Sequence, residues 1–249
     1  MSLLRVENVS KHFGNLRAVN DVSMRVEAGE LHALIGPNGA GKTTVFNMIS
    51  GFLMPDAGRI VFDGEDVTAL PPAQRVWRGM ARTFQITKIF PELSVAENLR
   101  IAVEVASGLR LKPWLTRHDS RKIISTVSNL LEKGGLTRKA HRSVGELAQG
   151  DQRATEIMMA LALRPRLLLL DEPTAGMGDK ETSDMTGLIR DLRKDKGLAI
   201  TLVEHDMRVV FGLADRIMVL AEGAVLAEGT PEEISANEAV QAAYLGNST

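Results

Sequence analysis

The chain of 249 residues contains no cysteine, which excludes disulfides and thiolate zinc sites. It has no run approaching the roughly 20 apolar residues that a membrane-spanning helix needs. Its formal net charge is −1, so no general basic field draws it to nucleic acid. Residues 1–10 alternate apolar and polar and lack a charged start followed by an apolar run, so they do not read as a secretory leader. There is no internal repeat and no low-complexity tract. The expectation is a soluble, cytoplasmic chain, one large domain or one domain with a lobe, that reaches a membrane only by docking.

What is present begins with Gly36-Pro37-Asn38-Gly39-Ala40-Gly41-Lys42-Thr43-Thr44. The preceding Leu31-His32-Ala33-Leu34-Ile35 reads as a buried strand, and residues 44–49 can run on as a helix. Strand, glycine loop and helix in that order give the pattern a mechanism. Glycines at 36, 39 and 41 let backbone N–H groups turn toward one centre, and the helix behind them adds the positive end of its dipole. In such a loop Lys42 reaches the β- and γ-phosphates of a nucleoside triphosphate, the Thr43 hydroxyl ligates Mg²⁺, and the Thr44 backbone helps to hold the α-phosphate. A glycine-rich turn without chemistry is the competing reading, and the complete pattern in context weighs against it. The loop alone does not separate transporters, GTPases, kinases and recombinases.

Farther along, Leu167-Leu168-Leu169-Leu170 runs straight into Asp171-Glu172-Pro173. An apolar run without alternation suits a parallel strand buried on both faces, and ligands of open α/β sheets sit at the carboxyl ends of such strands. Asp171 is then placed to hold magnesium through water, and Glu172 to orient or deprotonate the water that attacks the γ-phosphate. Residues 3–9, 19–26 and 58–64 alternate or are bounded by glycine, and suggest a small antiparallel sheet. Residues 73–79 form a plausible helix after Pro71-Pro72. Ile123, Ile124, Val127, Leu130 and Leu131 share one helical face that Gly134-Gly135 would end. With 156–163 also helical, the middle of the chain, about 93–162, is mostly helix, and Met158 and Met159 read as helix core. Strands at 167–170, 198–203 and 217–220, with a helix at 182–194, argue for a parallel α/β core.

These residues together resemble the ATP-binding subunits of ABC transporters. The match runs over nearly the whole length, from Leu3 to Ala243-Tyr244-Leu245-Gly246. Lys11-His12-Phe13-Gly14, Phe46 to Gly51, Ala81-Arg82-Thr83-Phe84-Gln85 and Val203-Glu204-His205-Asp206-Met207 resemble one branch, the importers for branched-chain amino acids and related amides. The resemblance implies a single ABC ATPase domain over 1–249. Its RecA-like core would hold 31–54 and 163–235, an antiparallel β subdomain 1–30 and 55–70, a helical subdomain 90–162, and a tail 236–249. It implies that Phe13 stacks on adenine, Gln85 contacts the magnesium site, and His205 hydrogen-bonds the γ-phosphate. Ala148, Gln149 and Gly150 would grip the ATP of an opposite subunit. It implies ATP and Mg²⁺, a second ATPase subunit, integral membrane permease subunits, indirectly a solute-binding protein, no nucleic acid, and a place on the cytoplasmic face of the membrane. Ile86, Ile89, Phe90, Pro91 and Leu93 would line the permease groove. The segment 106–121 carries no clear role, and 232–245 is expected as one short helix packed on the core. A soluble ABC-type motor and a nucleotide-gated scaffold are the rival readings; intact Glu172 and His205 oppose the second.

Two departures concern the opposite subunit. The signature usually reads Leu-Ser-Gly-Gly-Gln and here is Leu147-Ala148-Gln149-Gly150-Asp151, so a hydroxyl donor is lost and a carboxylate arrives that should repel phosphate unless it faces away. Gly178 stands where relatives carry Asp or Asn.

Overall fold

The computed structural model describes residues 2–83, 89–108, 116–194 and 197–245. Two sheets form it. Strands β1 (Ser2–Phe13), β2 (Leu16–Glu27), β4 (Ala57–Phe62) and β5 (Glu65–Asp66) make an antiparallel sheet in the order β2-β1-β4-β5. Strands β3 (Leu31–Ile35), β6 (Met80–Arg82), β7 (Leu167–Asp171), β8 (Ala199–Val203), β9 (Arg216–Ala221) and β10 (Ala224–Gly229) make the second, in the order β10-β9-β3-β8-β7-β6. All neighbours in the second sheet pair in parallel except β9 with β10.

The central strands are buried on both faces, as continuous apolar runs require. Every residue of β3, β7 and β8 is buried. Leu31, Ala33 and Ile35 enter one core with Leu168, Leu170, Ile200 and Leu202. Leu34, Leu167, Leu169 and Val203 enter the other, together with β1, β2 and helix α1 (Lys42–Ser50). The phosphate-loop helix is thus sandwiched between the two sheets.

Helices α2 (Pro72–Trp77), α3 (Val95–Ala106), α4 (Arg117–Lys133) and α5 (Gln149–Ala162) occupy the middle of the chain. Both α3 and α4 open on capping boxes, Ser94 with Glu97 and Thr116 with Asp119, each satisfying orphan N–H groups of the first turn. Helices α6 (Asp179–Leu192) and α7 (Met207–Leu213) alternate with the core strands. The expected single C-terminal helix is two, α8 (Pro231–Ser235) and α9 (Glu238–Leu245). Helix α8 starts on a Thr230–Glu233 capping box with Pro231 in its first turn, a start signal that the wider reading had merged into one helix. Helix α5 starts at Gln149, earlier than the expected 156, because the signature residues are themselves its first turn.

One contact fixes how α1 ends. Arg75 is 1% exposed and donates to Met48 O (2.7 Å), Ile49 O (2.6 Å), Thr68 O (2.9 Å) and Leu70 O (2.9 Å). Burial pushes its pKa down to about 10, so it stays a cation at neutral pH. Its Nε lies 2.7 Å from where a Cβ on Gly51 would sit, and Gly51 caps α1 at φ 81°, so position 51 must lack a side chain.

Candidate functional site

The turn from β3 into α1 is built by exclusion of side chains. A Cβ on Gly36 would lie 2.2 Å from Leu220 O, and one on Gly41 2.6 Å from Ala18 O. Gly39 has open space but a φ of 82°. Each glycine is therefore needed, two for close approach of neighbouring backbone and one for a left-handed turn. Pro37, Asn38, Ala40, Thr43 and Thr44 fall in the same turn and first helical residues, Asn38 and Thr43 exposed. The Lys42 ammonium is drawn back over the loop, donating to Gly36 O (2.7 Å) and Pro37 O (3.0 Å). Burial lowers its pKa, and the charges of Glu172 and Asp171 work against that. Lys42 and the two carboxylates thus share one field across β3 and β7.

Asp171 ends β7 and is 2% exposed. Its Oδ2 accepts from Arg82 Nη2 at 2.7 Å, while Oδ1 is buried with no hydrogen-bond partner among the described residues. Arg82 reaches it from β6 and also donates to Asn47 Oδ1 and Ser50 Oγ of α1, each at 2.7 Å. Its guanidinium lies 5.5 Å from the Phe46 ring centroid and 5.8 Å from that of Phe52. A buried acidic oxygen without a donor is one that a magnesium-bound water could meet.

Glu172 follows in a left-handed conformation, φ 47°, its N–H bonded to Val203 O at 2.9 Å. Its Oε1 is 2.9 Å from His205 Nε2. The two meet because β7 and β8 pair in register, Asp171 opposite Val203, which places the next residues of both strands at one edge. A cleft of about 230 Å³ opens there, lined by Glu172, Thr174, Met177, His205, Asp206 and Arg208. Asp206 caps α7 through the Arg208 N–H, and hydrogen bonding to Arg208 keeps its carboxyl below the ordinary range. A larger depression of about 1140 Å³ between α4 and the end of α6 gathers no comparable set of reactive groups.

Other expected residues lie elsewhere. Gln85, with Phe84 and Ile86, is outside the described residues, as are Lys112-Pro113-Trp114 and Gly246. Phe13 ends β1 with its ring half exposed and Lys11 Nζ 6.0 Å from its centroid. Ala148 is the N-cap of α5 and makes no side-chain cap bond. Gln149 Nε2 donates to Ala175 O (2.9 Å), and the Gly150 N–H points to Glu181 Oε1 at 3.3 Å. Asp151 turns to Lys139, 2.5 Å away, so its charge is matched within the chain. Gly178 has a φ of −74° and open space around it, so nothing in the fold requires glycine there. Met158 is fully buried and Met159 packs on the same core. Ile89 packs on that core too, while Phe90 is 49% exposed. The buried Asn98 holds Phe90 at both backbone groups, accepting from its N–H (2.8 Å) and donating to its carbonyl (3.0 Å). A mostly apolar groove of about 320 Å³ is lined by Val76, Arg82, Ile101, Val105, Met159 and Leu163. Helix α9 brings Tyr244 to the phosphate loop: burial pushes its phenol up to about 12, against a smaller opposite pull from the Gly36 backbone.

Residues 19–175 match the family model described as ABC transporter. The chain belongs to the ATP-binding family of ABC transporters. Members of this family hydrolyse ATP, and residues 224–248 further match a model described as branched-chain amino acid ATP-binding cassette transporter. Among curated relatives, the high-affinity branched-chain amino acid transport ATP-binding protein BraF of Pseudomonas aeruginosa is 43% identical over 250 residues, covering 98% of each chain. The lipopolysaccharide export system ATP-binding protein LptB of Haemophilus influenzae is 37% identical, covering 99% of this chain and 98% of its own. A solved nucleotide-free ATP-binding cassette from an ABC transporter superposes with TM-score 0.85 at 31% identity, over 98% of this chain and 99% of that one. An ATP-binding cassette solved in its ADP conformation gives 0.84 at 30%, over 99% and 100%. The α/β architecture with mixed sheets is that of these ABC ATPase cassettes.

Among the described residues, Arg82, Glu204, Asn98 and Arg75 are those that reading the sequence by motif did not single out. The first two stand inside quoted motifs, next to the residues those motifs are known by, which was the available signal.

Proposed function

We propose that this chain is the ATP-hydrolysing subunit of a membrane importer for branched-chain amino acids or related amides, acting as one of a pair beneath permease subunits fed by a solute-binding protein. The observation that carries the chemical part is the Glu172–His205 pair, 2.9 Å apart beyond the ends of β7 and β8, the two strands next along the sheet from β3. In this reading the amides of residues 39–44 and the Lys42 ammonium hold the β- and γ-phosphates. Thr43, Asp171 through water, and Gln85 hold Mg²⁺, which when bound supplies positive charge against the phosphate oxygens. Glu172 accepts the proton of the attacking water as the bond from the γ-phosphorus to the bridging oxygen breaks. His205 Nε2 keeps the Glu172 carboxylate aimed before nucleotide arrives, and in this reading the ring turns that nitrogen to hydrogen-bond the γ-phosphate once ATP is bound. Phe13 offers a flat apolar face for adenine.

Import, and this solute class, rest on the C-terminal family match and on relatives such as BraF; likeness to LptB shows that family membership alone does not fix direction. The half-exposed Phe90 and the apolar groove along α3 suit a short permease helix. Among the described residues no helix is long and apolar enough to cross a membrane, which fits a subunit held at the cytoplasmic face by such contacts. Ala148, Gln149 and Gly150 are read as the grip on a partner's ATP, with the missing serine hydroxyl weakening it. Nucleic acid has no part in this reading.

The test is Glu172→Gln in transporter reconstituted with its permease. Phosphate release should fall by about 10²-fold or more while Mg-ATP binding survives; release at the wild-type rate would refute the assignment.

A further inference from the structure

Glu204 lies between the last residue of β8 and His205, and it is 3% exposed. A carboxylate in such a place must be met by donors. Its Oε1 accepts from the Thr174 N–H at 2.9 Å and from the Thr174 hydroxyl, and its Oε2 accepts from the His205 N–H at 3.0 Å. Thr174 is itself 6% exposed. One side chain therefore ties two segments that the sheet alone leaves independent beyond the Asp171–Val203 pair.

What those segments carry makes the tie consequential. Glu172, two residues before Thr174, holds a left-handed backbone at φ 47°, a conformation that persists only where surroundings impose it. The imposition is double: Glu172 N–H bonds Val203 O, and Thr174 bonds Glu204. On the other side, His205 is exposed, and the recorded contact on its own N–H is the Glu204 carboxylate.

We infer that Glu204 is a positioning residue for ATP hydrolysis, fixing the approach of Glu172 and His205 without touching the nucleotide. The inference rests on the reading above, in which that pair performs the chemistry. In that reading most phosphate contacts come from the β3–α1 turn, on a different strand, and His205 adds one at the γ-phosphate, so Glu204 acts chiefly on turnover and only weakly on the affinity for ATP. Displacing a reactive pair by about 1 Å costs on the order of 10²-fold in rate, and that is the loss expected when both ties are cut.

The experiment measures steady-state phosphate release and Mg-ATP binding for the full-length chain as wild type, Glu204→Gln, Glu204→Ala, His205→Ala and the Glu204→Ala/His205→Ala double variant. Glutamine keeps an acceptor for Thr174 but sets an amide against the His205 N–H, so its kcat should fall between wild type and alanine. Glu204→Ala should lose about 10²-fold in kcat with KM for ATP changed by no more than a few-fold, as most ground-state phosphate contacts lie in the β3–α1 turn. The double variant should be slower than His205→Ala alone by a factor well below the loss of Glu204→Ala in the wild-type background, because Glu204 acts partly through His205 and partly through the Thr174 tie to Glu172. Multiplying losses in the double variant, or a rise in KM at unchanged kcat, overturns the inference. Should Glu204→Ala fail to fold, Glu204→Gln with and without His205→Ala carries the same cycle. A wild-type transporter, reconstituted with its permease, that binds Mg-ATP but never releases phosphate refutes the hydrolytic reading itself, which is a separate outcome.

Discussion

Replacing Arg82 with methionine is the sharpest probe of how the acidic strand end is held. The Arg82 side chain is 9% exposed and that of Asp171 3%, so water contributes little to either charge. Methionine keeps much of the length and the packing against Phe46 and Phe52 but removes the cation. Asp171 then keeps a buried charge whose Oδ1 already lacks a donor, and both Asn47 Oδ1 and Ser50 Oγ lose a bond. Breaking one side of a buried pair costs about 3–5 kcal/mol, a large share of the roughly 5–15 kcal/mol of a whole domain. For a chain of this size each kcal/mol lowers Tm by about 2–4 °C, giving a drop on the order of 6–20 °C. Calorimetric melting reads this directly. Adding Asp171→Asn to the variant removes the stranded charge, so the pair should recover part of the loss and show a coupling of at least about 1.5 kcal/mol. A loss below about 1 kcal/mol for Arg82→Met, or additive effects in the cycle, would refute the view that the two charges depend on each other.

Ala148→Ser should restore an N-cap acceptor to α5, because the backbone at 148 already has the extended N-cap conformation, ψ 154°. About 1 kcal/mol of added stability is expected in a melt, and an unchanged or lower Tm would contradict it. Tyr244 is the chain's one tyrosine, so phenolate absorbance reports it alone. Its folded pKa of about 12 lies above the ordinary value near 10, so the stability it contributes is complete below about pH 10 and is lost as pH rises toward 12. Titration near 10 in the native chain would contradict this, and Tyr244→Phe should flatten the alkaline limb of stability against pH.

Much of the site was legible because its residues act through local order. The glycines at 36, 39 and 41 declare themselves by spacing, and Leu167–Asp171 by an unbroken apolar run, since a strand buried on both faces has no polar side to show. Ala148 and His205 are singled out only by the resemblance to ABC ATP-binding subunits. What escaped depends on partners far along the chain. Arg82 meets Asp171 across 89 positions and Glu204 meets Thr174 across 30, and no periodicity records such pairings. Strand β6 is three residues long, too short for an alternation to form. The position of Asp151 could be stated in advance only as a condition, and Lys139 decided it. Nothing in the sequence pattern marks Asn98, whose bonds to the Phe90 backbone depend on how the turn before α3 folds back.

The tail of the phosphate-binding helix carries a consequence for how the molecule can be taken apart. Helix α1 has no basic residue in its last turn, and the positive charge that answers its carbonyl end is lent by Arg75, a neighbour that arrives only after the excursion through β4 and β5. A helix with anions gathered at its front is steadied by a cation at its back. A peptide excised as strand, loop and helix, residues 31–51, would therefore retain every glycine and the lysine yet leave the rear of the dipole unanswered, and should grip triphosphate far less well than the intact chain.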